Sequence, residues 1–89
     1  MYTLYIIECA DKSFYTGITT DLARRFKEHQ SGKGGHYTRA HKPVRIVYSE
    51  VHANRSQASV REAAVKKLSR EEKLRLTRSK AHQKSAILQ

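Results

Sequence analysis

The rhythm of apolar and polar positions changes several times along the chain, and each change predicts an element. Residues 2–9, Tyr-Thr-Leu-Tyr-Ile-Ile-Glu-Cys, form a nearly unbroken aromatic and β-branched run, the pattern of a largely buried strand. Ala10-Asp11-Lys12-Ser13 is polar, and the Asp11 carboxylate can bond nearby backbone, so a turn is predicted. Phe14-Tyr15-Thr16 resumes strand character, which makes 2–16 a hairpin, with Gly17 ending the second strand as a bend or a close approach of backbone. Thr19-Thr20-Asp21 offers N-cap oxygens for a helix from about Asp21 to Gln30. On that helix Leu22 and Phe26 form the buried stripe, Asp21, Arg25 and His29 share another face, and Arg24 points to solvent. Residues 31–43 hold three of the four glycines and the single proline, and read as a loop. Val44 to Val51 alternates like a half-buried or edge strand, with Val44, Ile46 and Tyr48 on one side.

Two helices are predicted to follow. Asn54-Arg55-Ser56-Gln57 is a candidate capping box for a helix reaching about Leu68, with Val60, Ala64, Lys67 and Leu68 on one face. Ser69-Arg70-Glu71-Glu72 is a stronger capping box, opening a short helix that carries Leu74 and Leu76 to about Arg78. Lys80 to Gln89 has only Ile87 and Leu88 as anchors and is expected to be frayed or disordered.

Composition narrows the picture. Eighty-nine residues suffice for one small core, with no linker or internal repeat to divide the chain. No run of 18 apolar residues could cross a membrane, and the strand-like start is not a secretory leader. The lone Cys9 cannot form an internal disulfide, which suits a reducing cytoplasm. Eighteen Lys and Arg against eight Asp and Glu give +10, a charge that points to a polyanion, nucleic acid first. The 31–43 loop fits such a partner: glycine backbone can approach phosphate, Lys33, Arg39 and Lys42 supply charge, and His36, Tyr37 and His41 lie between them. Tyr37 could stack on a base. The ordinary alternative is a flexible basic loop.

The chemistry concentrates between Thr3 and His29. Tyr5, Tyr15, Arg25 and His29 can converge from the hairpin and the first helix. Phosphodiester hydrolysis needs a water deprotonated, developing phosphate charge stabilised and a leaving oxygen neutralised. A Tyr or His can handle the proton, and an Arg can meet the charge. A carboxylate can hold a divalent metal, and Mg²⁺ needs few protein ligands. Glu62 is the available carboxylate, although from the residues alone it reads first as a salt-bridge partner of Lys66 at i+4. A Cys9 thiol site and a His36–His41 zinc site have no supporting motif.

At these residues the chain resembles the GIY-YIG nuclease domain. Thr3-Leu4-Tyr5 stands for the Gly-Ile-Tyr motif and Tyr15-Thr16-Gly17 for Tyr-Ile-Gly; Arg25 and His29 follow Tyr15 by ten and fourteen residues, as in the family. Glu62 in Val60-Arg61-Glu62 matches the metal-binding Glu of a later helix. The resemblance covers about residues 2–78 and looks nearest to the small stand-alone bacterial members, whose Gly-Lys-Gly-Gly-His-Tyr-Thr-Arg loop is similar. It implies an α+β fold, a three-stranded antiparallel sheet flanked by helices, occupying residues 1–79. It implies DNA cleavage with Mg²⁺ or Mn²⁺, with repair or recombination intermediates as candidate substrates. Tyr5 would activate or position water, Tyr15 order the site, Arg25 stabilise phosphate, His29 relay a proton and Glu62 bind metal. Gly17 would permit a close turn near the nucleic acid, and Arg24 would add to the basic surface. The chain departs from the family in two respects: Thr3, Leu4 and Thr16 replace motif glycine and isoleucines, and the Asn that many members carry after the Glu helix is missing, since its single asparagine, Asn54, precedes Glu62. A second reading, a non-catalytic basic module that binds nucleic acid and keeps the fold, stays open. A protein partner could supply specificity in either case.

Overall fold

The computed structural model describes residues 1–78, so the tail expected to be frayed lies outside the described residues. Three strands, β1 (Tyr2–Cys9), β2 (Phe14–Thr19) and β3 (Pro43–His52), form one antiparallel sheet in the order β2-β1-β3. Four helices surround it: α1 (Leu22–Gln30), α2 (His36–His41), α3 (Arg55–Lys66) and α4 (Arg70–Thr77). The fold is the α+β arrangement expected.

Strand β1 lies in the centre, and that position explains its unbroken apolar run. Successive side chains leave opposite faces of a strand, and here both faces are covered. Leu4 and Ile6 join Tyr48 and Val65 in one core, with Ile18, Leu68 and Leu76 packed around them. Tyr5, Ile7 and Cys9 form the other, against Tyr15, Leu22, Phe26 and Ile46. Every residue from Leu4 to Ile7 is fully or almost fully buried. The Asp11 turn forms as expected, with Oδ1 accepting from the Ser13 N–H at 3.0 Å.

Several boundaries and faces differ from expectation. Gly17 does not end β2. The strand continues to Thr19, and Gly17 sits opposite Tyr5 in the ladder. Residues 31–43 are not all loop, because His36–His41 closes into the six-residue helix α2. Its N-cap, Gly35, gives no side-chain hydrogen bond, so the usual start signal is missing. On β3 the expected alternation of Val44, Ile46 and Tyr48 fails. A register shift sets Ile46 opposite Ile7 but Tyr48 opposite Ile6, and Ile46 and Tyr48 enter different cores. One extra residue in a strand reverses the facing of everything beyond it.

Helix α3 is also rotated from the expected face. Val60 is 71% exposed and Ala64 and Lys67 are exposed, whereas Ala58 and Val65 are buried. Arg61 and Glu62 are half-buried on the inward stripe with them. Arg61 can sit there because its Nε donates to Glu50 Oε2 at 2.9 Å. The Tyr48 hydroxyl donates to the same carboxylate at 2.5 Å and His52 Nε2 lies 2.6 Å from it. Burial would raise the Glu50 carboxyl, but hydrogen bonds from Tyr48, His52 and Arg61 outweigh it and hold the group below its usual range. Asn54 caps α3 by accepting from the Gln57 N–H at 2.9 Å, while Gln57 Oε1 accepts from the Ala53 N–H rather than closing a full box on Asn54. The Ser69–Glu72 capping box of α4 is complete. The start of α4 docks on the hairpin, where Arg70 lies 5.0 Å from the Phe14 ring centre and donates to the Lys12 carbonyl.

Candidate active site

The register of the hairpin assembles the first part of the site. Pairing Tyr5 with Gly17 and Ile7 with Tyr15 puts both tyrosines on the sheet face that α1 covers. Gly17 provides the space. A Cβ at that position would lie 2.6 Å from the Tyr5 hydroxyl oxygen, inside contact distance, so only glycine lets the phenol pass over the neighbouring strand. The close approach expected of Gly17 is therefore to Tyr5.

Helix α1 brings the remaining groups. Asp21 caps it, its Oδ1 accepting from the Arg24 N–H at 3.1 Å. Leu22 and Phe26 dock on the apolar face, and the same turn of helix swings His29 fully inside. The Tyr5 hydroxyl and His29 Nε2 are 2.9 Å apart, and His29 Nδ1 is 2.7 Å from Thr38 Oγ1. The Tyr15 ring meets the imidazole edge-on at 5.0 Å between centroids. Gly34 lies against the imidazole so closely that a Cβ there would come within 2.1 Å of Nδ1. Arg25, half-buried, donates to Glu28 Oε1 at 2.9 Å and to the Gly34 carbonyl at 3.0 Å, so one guanidinium holds both the helix and the loop over His29.

Electrostatics separate the roles of these groups. Burial, then the neighbouring Tyr15, push the Tyr5 phenol up to about 12; the Arg25 guanidinium beside it opposes this, and Glu62 adds to the rise. Burial, with Arg25 as the second cause, lowers His29 below its ordinary 6.5, against a smaller opposite pull from Glu28. The imidazole is therefore neutral at pH 7. One ring nitrogen then carries a lone pair, and at rest the phenol keeps its own proton. The hydrogen bond to Glu28 raises the Arg25 guanidinium further, so it stays charged.

Because His29 titrates lower in the folded chain, the unfolded chain binds its proton first as pH falls. The stability it contributes is complete above 6.5 and is lost as pH drops through 6.5 toward the depressed folded value. The melting temperature is expected to fall across that window in wild type, and the fall should shrink in His29→Gln. Thermal unfolding followed by circular dichroism in steps from pH 8 to 5 measures both; matching profiles for the two proteins would contradict the buried neutral imidazole.

Glu62 reaches Tyr5 through its field rather than through a hydrogen bond. Its carboxylate is half-buried and pairs with Lys66 Nζ at 3.2 Å, as the i+4 spacing allows. Among the described residues no group of three or more His, Cys, Asp or Glu side chains could cage a metal ion. The residues expected to contact nucleic acid surround the site on the α2 side. Lys33, His36, Arg39 and Lys42 are exposed, and Arg24 on α1 is exposed as expected. Tyr37 is 37% exposed but not a free platform: it stacks on His41 at 4.2 Å and leans on Tyr15 at 5.8 Å. His41 in turn is held by Asp11, with Nδ1 to Oδ2 at 2.5 Å.

Two contributors were not expected from sequence, Thr38 and Gly34. Thr38 lies nine residues beyond His29, a spacing that no helical or strand period connects. Gly34 carries a usable signal only as part of a Gly-Gly pair, which composition assigns to loop flexibility.

A three-stranded sheet whose first hairpin aligns two tyrosines, followed by a helix that delivers Arg and His to them, is a family signature. Residues 1–75 match the pattern described as the GIY-YIG catalytic domain, and the chain belongs to this family, a family of nucleases. Its relatives are small. A UPF0213 protein of Desulfotalea psychrophila is 49% identical over 85 residues, covering 94% of this chain and 77% of the relative. One of Streptococcus sanguinis is 49% identical over 71 residues, covering 80% and 82%. The solution NMR structure of the UPF0213 protein from Bacillus halodurans shares 45% identity with a TM-score of 0.58, over 91% of this chain and 87% of that one. A protein from E. faecalis, also solved by NMR, shares 38% identity with a TM-score of 0.59, over 99% and 88%.

Proposed function

We propose that this chain is a divalent-metal-dependent nuclease that hydrolyses DNA phosphodiester bonds, with residues 1–79 as its nuclease domain. The observation that carries this reading is the buried Tyr5–His29 contact at 2.9 Å beside the charged Arg25. Water attacks phosphorus as its proton passes to the Tyr5 oxygen and the phenolic proton passes to His29 Nε2. The new P–O bond forms as the bond to the leaving sugar oxygen breaks; that oxygen takes a proton from solvent water, and His29 releases its extra proton to solvent to reset the site. Arg25, exchanging its Glu28 partner for phosphate, meets the charge that grows on the non-bridging oxygens. Tyr15, edge-on to the imidazole, fixes the ring.

Glu62 fits the metal in donor chemistry: it is a half-buried hard-oxygen ligand whose field already reaches Tyr5, and its present partner, Lys66, is more than half exposed and free to leave. A single carboxylate suits Mg²⁺ or Mn²⁺, which keep several waters and also bind the substrate's phosphate. When bound, the ion would supply Lewis-acid stabilisation to the phosphate. The +10 charge supplies loose, salt-sensitive affinity for DNA, and a protein partner would supply specificity. Repair or recombination intermediates are the substrates this reading favours. A reducing cytoplasm suits the buried free Cys9, and no described helix is long and apolar enough to cross a membrane.

One observation supports the second reading, a non-catalytic DNA-binding module: Arg25 and Glu62 are each ion-paired within their own helix. Branched, nicked and single-stranded DNA incubated with Mg²⁺ or Mn²⁺ decides between them. Wild type is expected to cleave at least one of these, and Glu62→Ala to lose about a hundredfold in rate, a few kcal/mol of transition-state stabilisation, while still binding. If wild type cuts nothing while both proteins bind equally, the module reading stands and the nuclease reading falls.

A further inference from the structure

We infer that Thr38 is a positioning residue that fixes His29 with its proton on Nδ1, leaving Nε2 as the acceptor facing Tyr5. The inference deepens the proposed nuclease reading and concerns the same site. Its basis is a chain of three buried groups. Tyr5 is 1% exposed, His29 0% and Thr38 2%, and they touch in sequence at 2.9 Å and 2.7 Å.

The hydrogen-bond inventory restricts how these groups can be arranged. A neutral imidazole carries one N–H and one lone pair. A protonated phenol and a threonine hydroxyl can each donate or accept. Two consistent arrangements exist. In one, Tyr5 donates to Nε2 and Nδ1–H donates to Thr38. In the other, Thr38 donates to Nδ1 and Nε2–H donates to Tyr5. Only the first lets the imidazole take the phenolic proton, because only there does Nε2 carry a lone pair. The second would block the transfer at its first step.

The surroundings favour the first arrangement. Although burial makes Tyr5 hold its proton more strongly, it remains the better donor of the two hydroxyls, since a phenol is far more acidic than an aliphatic alcohol. The ring also cannot easily turn away. Gly34 lies against it, with a hypothetical Cβ only 2.1 Å from Nδ1, and Tyr15 meets it edge-on at 5.0 Å. When Nε2 gains the proton, the imidazolium needs an acceptor at Nδ1–H, and Thr38 Oγ1 is the atom placed there. Thr38 acts on the reaction through His29 and does not touch substrate. Helix α2 thereby acquires a role in the site: it delivers the partner that sets the tautomer.

The imidazole ¹⁵N shifts of His29, read by long-range ¹H–¹⁵N correlation on the free protein above pH 7, test this without substrate or metal. Wild type is expected to show the Nδ1–H tautomer. Thr38→Ser, which keeps the hydroxyl, should preserve it; Thr38→Val, which keeps the volume, should shift the ring toward Nε2–H or a mixture. An Nε2–H signal in wild type overturns the inference, as does a Thr38→Val ring that keeps the wild-type pattern. Should Thr38→Val not fold, the wild-type tautomer alone still decides. In a cleavage assay Thr38→Val is expected to lose about ten- to a hundredfold in kcat, the range typical of partners that orient a functional histidine, with Thr38→Ser near wild type and KM little changed. Absence of cleavage in wild type would count against the nuclease reading and leave the tautomer result standing.

Discussion

Tyr5→Phe is expected to reduce DNA cleavage by about two to four orders of magnitude while leaving the fold intact. The ring is buried in the α1-side core, and phenylalanine fills that space without change in the packing of Ile7 and Cys9. What is lost is one oxygen, the hydroxyl that lies 2.9 Å from His29 Nε2. The thermal cost should be on the order of 1 kcal/mol, because Nε2 is left without its partner. DNA binding measured without metal should be unaltered, since a 1% exposed residue contributes nothing to the outer surface. Combining Tyr5→Phe with His29→Gln should cost little more than Tyr5→Phe alone, because two members of one proton path act as a unit. Wild-type rates in Tyr5→Phe, or strictly additive losses in the double variant, would dismantle the relay.

Gly34→Ala is expected to impair the protein more than alanine at any other glycine of the basic segment. The added methyl would come within 2.1 Å of His29 Nδ1 and within 2.8 Å of the His29 Cα. A side chain can rotate away from such a contact, but backbone cannot, so the loop itself must move. Overpacking of this kind costs about 1–3 kcal/mol. It also loosens the Arg25–Gly34 hydrogen bond and carries Thr38 away from the imidazole. Gly32→Ala is a useful contrast: nothing lies within 4 Å of its Cβ position, and its penalty comes only from a φ of +83°. Thermal unfolding combined with the His29 ring signals separates the two. Both variants should melt earlier, but only Gly34→Ala should disturb the imidazole. An unperturbed His29 in Gly34→Ala would mean that the loop yields without consequence.

The parts of this protein legible in its sequence are those set by local rules. The hairpin followed from a β-rich run broken by Asp11 and Ser13, and the Arg25–His29 spacing followed from the helical period. The Ser69 and Glu72 pair announced α4 by capping chemistry alone. Features set by contacts between elements were not legible. The face that α3 buries depends on Arg61 finding Glu50 on β3, which the apolar pattern around Val60 does not signal. The alternation of β3 breaks at a register shift that no residue type signals. Helix α2 has a bare glycine cap, and its stability comes from Thr38 inside and from Tyr37 stacking on His41 outside. Glu62 shows the same division in one residue: its Lys66 pairing was visible from the i+4 spacing, whereas its influence on Tyr5 needed the packing of α3 against the sheet.

The placement of Tyr5 on the central strand has a consequence for how errors in folding are policed. Neighbouring residues on β1 serve opposite masters: Leu4 and Ile6 anchor one core, while Tyr5 and Ile7 belong to the other. Sliding this strand by a single residue would drive the phenol into the greasy layer beneath α3 and send a leucine or isoleucine to His29. A chain in that state would be unstable as well as inert. Proofreading of the reactive groups is thus built into the same zipper that closes the sheet, and a long-lived, well-packed but chemically scrambled conformer has no place to form.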